Sequence, residues 1–225
     1  MVYRFGHHPG IKDPVEALGV PHTEVMMLTV NGDGVGFDYR LCDGDRVEVY
    51  PVFISSDVEE PVLLRAELPD PHFVLDVHLG KLARWLRLLG LDVLYRNDYT
   101  DPELADISAA EHRILLTRDR RLLFYRRVTY GHFIRDSDPF EQVRDVIRHY
   151  QLKSRLQPFS RCIKCNGRLE TVHKNDILDR LEPKTIQFYD TFYRCADCGQ
   201  IYWQGSHLNG ISKHLKALGC DIRSL

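Results

Sequence analysis

Two aspartates in this chain each close a short apolar run and lie beside basic residues. Phe73-Val-Leu-Asp76 is followed by Lys81, Arg84 and Arg87, and Ile114-Leu-Leu-Thr117-Arg118-Asp119 by Arg120 and Arg121. In an open parallel sheet the carboxyl ends of the strands line one crevice, where ligands bind. Carboxylates gathered at such an edge are hard oxygen ligands for Mg²⁺ or Mn²⁺. Arginines beside them suit a phosphate-bearing substrate. The combination points to metal-assisted cleavage of a nucleic acid. A divalent ion held by Asp76 and Asp119 offsets their mutual repulsion and activates a water as nucleophile. No residue need form a covalent intermediate.

Other acids compete for a place at this edge. Asp101 opens a predicted helix, where it serves either as a cap or as an assisting third carboxylate. Asp98 lies close by in sequence and is an alternative, and so is Asp136, which follows a later strand. Asp138 reads better as a helix cap. Lys81, Arg84 and Arg87 are spaced three apart and so share a side of one helix. Lys81, Arg84, Arg118 and Arg120 are the expected phosphate contacts. Arg126 and Arg127 read as surface residues, and Trp85 as core.

A second constellation is Cys162-Ile-Lys-Cys165 with Cys195-Ala-Asp-Cys198, 29 residues intervening. Paired C-x₂-C knuckles of this kind hold a structural ion on four thiolates, zinc by preference, with iron as the alternative. Such a closed site offers no position to substrate. Lys164, Arg168, Lys174 and Arg194 around it could contact RNA. Cys42 and Cys220 lack partners by spacing and read as free thiols. His207 reads as a packed or surface histidine.

The elements that must carry these residues divide the chain into three segments. Residues 1–68 read as β-rich. A short helix ends at Gly19, and strands are expected over 24–30, 35–39 and 46–53, with turns at Asn31-Gly32 and Asp43-Gly44. An acidic linker covers Ser55 to Glu60. Residues 70–152 alternate strand and helix. Strands are expected at 73–75, 92–95, 113–117 and 132–134, with helices at 79–89, from 101, over 120–126 and from 138. That alternation predicts a parallel α/β sheet. Residues 153–225 carry the cysteines.

The segments resemble known families. Asp76, Leu79-Gly-Lys-Leu-Ala-Arg-Trp-Leu-Arg-Leu-Leu-Gly90 and Leu115-Leu-Thr-Arg-Asp-Arg-Arg-Leu122 are similar to the Mut7-C RNase domain, a branch of the PIN-like nucleases. The resemblance implies a PIN-like α/β/α three-layer fold and metal-dependent RNA cleavage. The cysteine segment, with Tyr202-Trp-Gln-Gly-Ser-His207, resembles the zinc ribbon that accompanies such domains. Leu18-Gly-Val-Pro-His-Thr-Glu-Val25, Val30-Asn-Gly32 and Asp43-Gly-Asp-Arg-Val-Glu-Val-Tyr-Pro-Val-Phe53 resemble the ubiquitin-like β-grasp domain found ahead of them. The first strand of that domain is short or missing here. The Gly-Gly tail of sulfur carriers is absent too, which favours a docking or structural role over a carrier role.

Composition is consistent with this division of labour. Residues 1–70 hold 5 Lys/Arg against 13 Asp/Glu, residues 71–150 hold 13 against 12, and residues 151–225 hold 12 against 7. RNA, or DNA, should therefore prefer the C-terminal two-thirds. A protein partner is the better expectation for the acidic N-terminal segment. No apolar run approaches the ~18 residues of a membrane span, and no signal-peptide core is present, so the expectation is a cytoplasmic protein with no membrane contact. Two rival readings share this architecture: an RNA-binding zinc-ribbon protein without cleavage activity, and a β-grasp adaptor that recruits an enzyme.

Overall fold

The computed structural model describes residues 1–51, 62–65, 70–203, 205, 216 and 218. The acidic linker, His207, Cys220 and the end of the strand expected to reach Phe53 lie outside them. The chain divides into two compact units. The first comprises Met1–Leu79, Tyr95–Arg135 and His149–Gln151. The second comprises Gly80–Leu94, Asp136–Arg148 and the described part of 152–225.

The first unit opens with helix α1 (Lys12–Ala17), which Gly19 ends at φ +87°. A turn of 3₁₀ helix over His22–Glu24 leads into strand β1 (Val25–Val30), buried along its whole length. Asn31 and Gly32 both take positive φ, the two-residue turn whose twist matches a hairpin. β2 (Asp33–Val35) and β3 (Val47–Pro51) flank β1 as antiparallel neighbours. β2 is shorter than expected and starts earlier, because the tight turn brings pairing back at once from Val30 opposite Asp33. Residues 1–8 form no strand, in keeping with the missing first strand. Ile11, Val15, Val25, Leu28, Val30 and Leu41 make the core of this part.

Strand β4 (Phe73–Leu75) follows in the same unit. The remaining α/β elements, in chain order, are α2 (Gly80–Leu88), β5 (Val93–Leu94), α3 (Asp101–Glu111), β6 (Ile114–Thr117), β7 (Gly131–Phe133) and α4 (Pro139–His149). β4, β6 and β7 lie side by side and parallel, with Leu75 opposite Leu116 and Leu116 opposite His132. β4 and β6 are buried throughout, as apolar runs in a parallel sheet require. The segment expected to be helical over 120–126 is a 3₁₀ turn, Arg120–Phe124.

The N-terminal part is fastened to β7 and the loop before it. The Glu24 carboxylate accepts the Phe133 N–H at 2.7 Å and lies 3.3 Å from His132 Nδ1 and 3.7 Å from Arg135. His22 Nε2 lies 3.0 Å from the Val128 carbonyl, and its Nδ1 2.6 Å from Glu16. Thr23 packs under Gly131, where a Cβ would meet its side chain at 3.2 Å.

In the second unit, α2 and α4 meet through Trp85 and Phe140, ring centroids 6.0 Å apart, and Trp85 is half-buried where a core position is expected. The cysteine segment forms a three-stranded antiparallel sheet, with β9 (Phe192–Cys195) between β8 (Leu169–Val172) and β10 (Ile201–Trp203). Helix α5 (Pro183–Phe188) lies between β8 and β9 in the chain. Val172, Ile177, Phe192 and Ile201 form a small core. No helix among the described residues is long and apolar enough to cross a membrane.

Candidate active site and metal centre

Parallel pairing of β4 with β6 sets Asp76 beside Thr117, because Asp76 N donates to the Leu116 carbonyl one step past the last paired residues. Asp76 is 4% exposed and Thr117 fully buried. The Asp76 carboxylate is held from three directions. Oδ1 accepts the His78 N–H at 2.8 Å, and Oδ2 accepts the Arg118 N–H at 2.7 Å together with the Thr117 hydroxyl. The Thr117 oxygen in turn accepts the Asp119 N–H at 2.8 Å. One hydroxyl thus ties the two strand-end aspartates together. Asp119 also caps the 3₁₀ turn after β6, its Oδ1 accepting the Arg121 N–H at 2.8 Å.

The remaining acids separate by their partners. Thr100, not Asp101, caps α3, in a capping box with Glu103. Asp101 is the first helical residue and is exposed, so capping does not occupy it. Asp98 pairs with Arg96 at 2.6 Å, and that bond holds its carboxyl below the usual carboxylate range. Asp138 caps α4 through the Phe140 and Glu141 amides, as expected, and Asp136 accepts the Asp138 N–H at 2.8 Å. Asp76, Asp98, Asp101 and Asp119 belong to the first unit, and Asp136 and Asp138 to the second. Among the described residues, the cysteines alone form a group of three or more metal-ligand types with all ligand atoms within 4.8 Å.

The basic residues divide as well. Lys81, Arg84 and Arg118 are exposed. The Arg120 guanidinium lies over the Phe133 ring at 4.9 Å and close to Gly19, so it is held in place. Arg126 and Arg127 are exposed, and Arg127 pairs with Asp106. Arg87 does not share the exposed side of Lys81 and Arg84. It is 4% exposed, with Nε donating to Val93 O at 2.9 Å and Nη1 to the carbonyls of Ile163 and Lys164 at 3.2 and 3.0 Å. The signal was in the spacing: Arg87 lies four residues after Ala83 and next to Leu86, on the apolar stripe.

Cys162, Cys165, Cys195 and Cys198 converge as their spacing predicts. The sulfur separations are 3.6 Å for Cys162–Cys198 and 3.4 Å for Cys165–Cys195. Tetrahedral Zn–S bonds of about 2.3 Å give sulfur separations of about 3.8 Å, so the cluster is close to the size of a four-thiolate site. Its electrostatics call for a cation. Burial raises the Cys162 thiol, but the Tyr202 hydroxyl at 3.1 Å and the knuckle amides outweigh it and bring it down to about 7. Burial and the neighbouring sulfurs push Cys165 up to about 12. Four thiolates cannot share this space without a positive ion, and a divalent one removes the conflict. Cys42 is an exposed free thiol. Lys164, Arg168 and Arg194 are exposed, whereas Lys174 pairs with Asp190 at 2.7 Å.

Comparison with known proteins agrees with this geometry. A family model described as Mut7-C RNAse domain matches residues 71–215, and one described as Mut7-C ubiquitin matches residues 1–57. No curated protein and no solved structure matches the chain. The first match takes in both the strand-end aspartates and the four cysteines, well over half of the residues, and it follows the second in the expected order. By that measure the chain belongs to the Mut7-C RNase domain family and carries a Mut7-C ubiquitin domain ahead of the nuclease-type domain.

Proposed function

We propose that this protein is a metal-dependent ribonuclease that hydrolyses RNA phosphodiester bonds. Asp76 and Asp119 are the ligands of a Mg²⁺ or Mn²⁺ ion, with Asp101 assisting. The observation that supports this most is the Thr117 hydroxyl, which donates to the Asp76 carboxylate and accepts the Asp119 backbone N–H, in a chain whose family is named for RNase activity. The donor set is all oxygen, as a hard cation requires. When bound, such an ion would make a water nucleophilic at neutral pH and stabilise charge on the phosphoryl oxygens. The protein's own part is positioning. Three donors orient the Asp76 carboxylate. Lys81, Arg84 and Arg118 are exposed cations for the RNA backbone, and so is Arg120, set over the Phe133 ring.

In this reading residues 70–152 form the catalytic domain, residues 153–225 a zinc ribbon with a structural ion, and residues 1–68 a β-grasp domain that serves for docking. The reduced cysteine cluster suits the cytoplasm. The test is cleavage of a pool of labelled single-stranded and structured RNAs, beside DNA, with Mg²⁺, Mn²⁺ or EDTA. Asp76→Asn, Asp119→Asn and Asp101→Asn are run alongside. Metal-dependent RNA cleavage is expected, abolished in the first two variants and reduced in the third. Wild-type turnover in Asp76→Asn or Asp119→Asn would overturn the site, and RNA retained without product would favour a binding protein.

A further inference from the structure

The contacts of Arg87 and of Arg161 share one pattern. Arg87 Nη1 donates to the carbonyls of Ile163 and Lys164. A peptide group is a single planar unit, so the other ends of those two groups are the N–H of Lys164 and the N–H of Cys165. The second of these amides, that of Cys165, donates to the Cys162 sulfur at 3.5 Å. Arg161 Nη1 donates to the Asn166 carbonyl at 2.9 Å. The other end of that peptide is the Gly167 N–H, the second amide beyond Cys165. In both cases a guanidinium pulls on the oxygen of a first-knuckle peptide, and for Arg87 one of those peptides donates its N–H to the Cys162 sulfur.

We propose that Arg87 and Arg161 are positioning residues of the Cys162–Cys165–Cys195–Cys198 metal site: they polarise the peptide groups of the first knuckle and so strengthen the hold of Cys162 and Cys165 on the ion. A hydrogen-bonded chain is cooperative, and a cation at one end strengthens the bond at the other. A divalent ion on four thiolates leaves the site with a net negative charge, which N–H···S bonds and nearby guanidinium groups offset. Partners beyond the direct ligands commonly govern metal affinity in this way. Arginine is required for geometric reasons. Its planar fork reaches Val93, Ile163 and Lys164 at once, and a lysine ammonium on a flexible stem does not. Arg161 is placed by Asp92, whose carboxylate accepts its Nη2 at 3.0 Å and also bonds Asn166.

The proposal rests on the four-thiolate site and not on the nuclease reading. It is tested on the full chain loaded with Zn²⁺ or Co²⁺ and titrated with a competing chromogenic chelator. Arg87→Met and Arg161→Met are each expected to weaken metal binding by roughly 10- to 100-fold. In the cobalt form the sulfur-to-metal charge-transfer band should move to lower energy, because a sulfur with weaker N–H bonds gives up electron density more readily. Arg87→Lys should recover part of both effects, and it carries the comparison if Arg87→Met does not fold. Phe140→Leu, which loosens the packing of the same unit at Trp85, should lower thermal stability and leave affinity and band unchanged. Wild-type affinity and band position in both methionine variants would overturn the proposal, as would an equal shift in Phe140→Leu. A wild-type protein that takes up neither ion would overturn the metal site itself.

Discussion

Thr117 has one hydroxyl proton and gives it to Asp76, which leaves its oxygen to accept the Asp119 amide. No other side chain type of that size does both, since valine has the shape without the oxygen. Thr117→Val should therefore leave a buried carboxylate short of a donor and a backbone amide short of an acceptor. A cost of about 1–3 kcal/mol is expected from denaturant unfolding, with RNA cleavage falling further than stability. Thr117→Ser keeps the hydroxyl and should behave closer to the parent. Residues of this kind were partly legible in the sequence. The apolar runs ending at Asp76 and Asp119 showed which residues sit at strand ends, and the C-x₂-C spacing showed the thiolate set. The sequence did not show which of the basic residues are exposed. Arg87 and Arg84 are the same residue type three positions apart, and only the apolar stripe through Ala83 and Leu86 separates a buried clamp from an exposed charge.

At the scale of elements, the 3₁₀ turn His22–Glu24 joins the N-terminal part to β7. Burial pushes the Glu24 carboxyl up, but His132, the Phe133 amide and Arg135 outweigh it, and the net effect is a lowered pKa. A carboxyl whose pKa is lower in the folded state adds stability above its ordinary value near 4.5. That contribution fades as pH falls through the folded value. Thermal unfolding followed against pH should show the first unit weakening below about pH 4.5, with a smaller pH slope in Glu24→Gln. Glu24→Gln itself should cost about 1–3 kcal/mol at neutral pH. An unchanged slope would mean that the turn does not depend on the carboxylate charge. Element types were largely visible beforehand, because β4 and β6 are unbroken apolar runs and α2 keeps a helical stripe. Their ends were less visible. Thr100 and Asp101 are both good caps, and only the Thr100 hydroxyl reaching Glu103 N decides between them. A contact such as Glu24 to Phe133, 109 residues apart in the chain, leaves no local trace.

On the scale of the whole chain, the four cysteines look like an appendage in sequence, yet they share a compact unit with α2. Besides the arginine contacts, Val93 N donates to the Asn166 side chain at 2.9 Å, and the Gln157 and Phe159 amides donate to the carbonyls of Leu89 and Leu88 at 2.9 Å. Gly90 has φ +87°, and a Cβ there would meet the Gln157 carbonyl at 2.2 Å. Gly90→Ala should therefore cost more than the ~1–2 kcal/mol of a left-handed alanine. The C-terminal end of α2 thus takes several of its polar partners from the segment that leads into the first knuckle. If an ion holds that knuckle in place, its removal should be felt in α2 as well as in β8, β9 and β10. Hydrogen exchange before and after chelation separates the two cases. Amides of α2 and of the cysteine sheet are expected to become less protected together, while those of β4 and β6, buried throughout, keep their protection. A change confined to the cysteine sheet would mean that α2 is held by its packing alone, and on the proposed function exposed Lys81 and Arg84 would then still serve RNA in the metal-free protein. On the proposed function, a change that includes α2 should be accompanied by weaker RNA binding with a shallower salt dependence, because Lys81 and Arg84 would no longer be held as the proposed phosphate contacts.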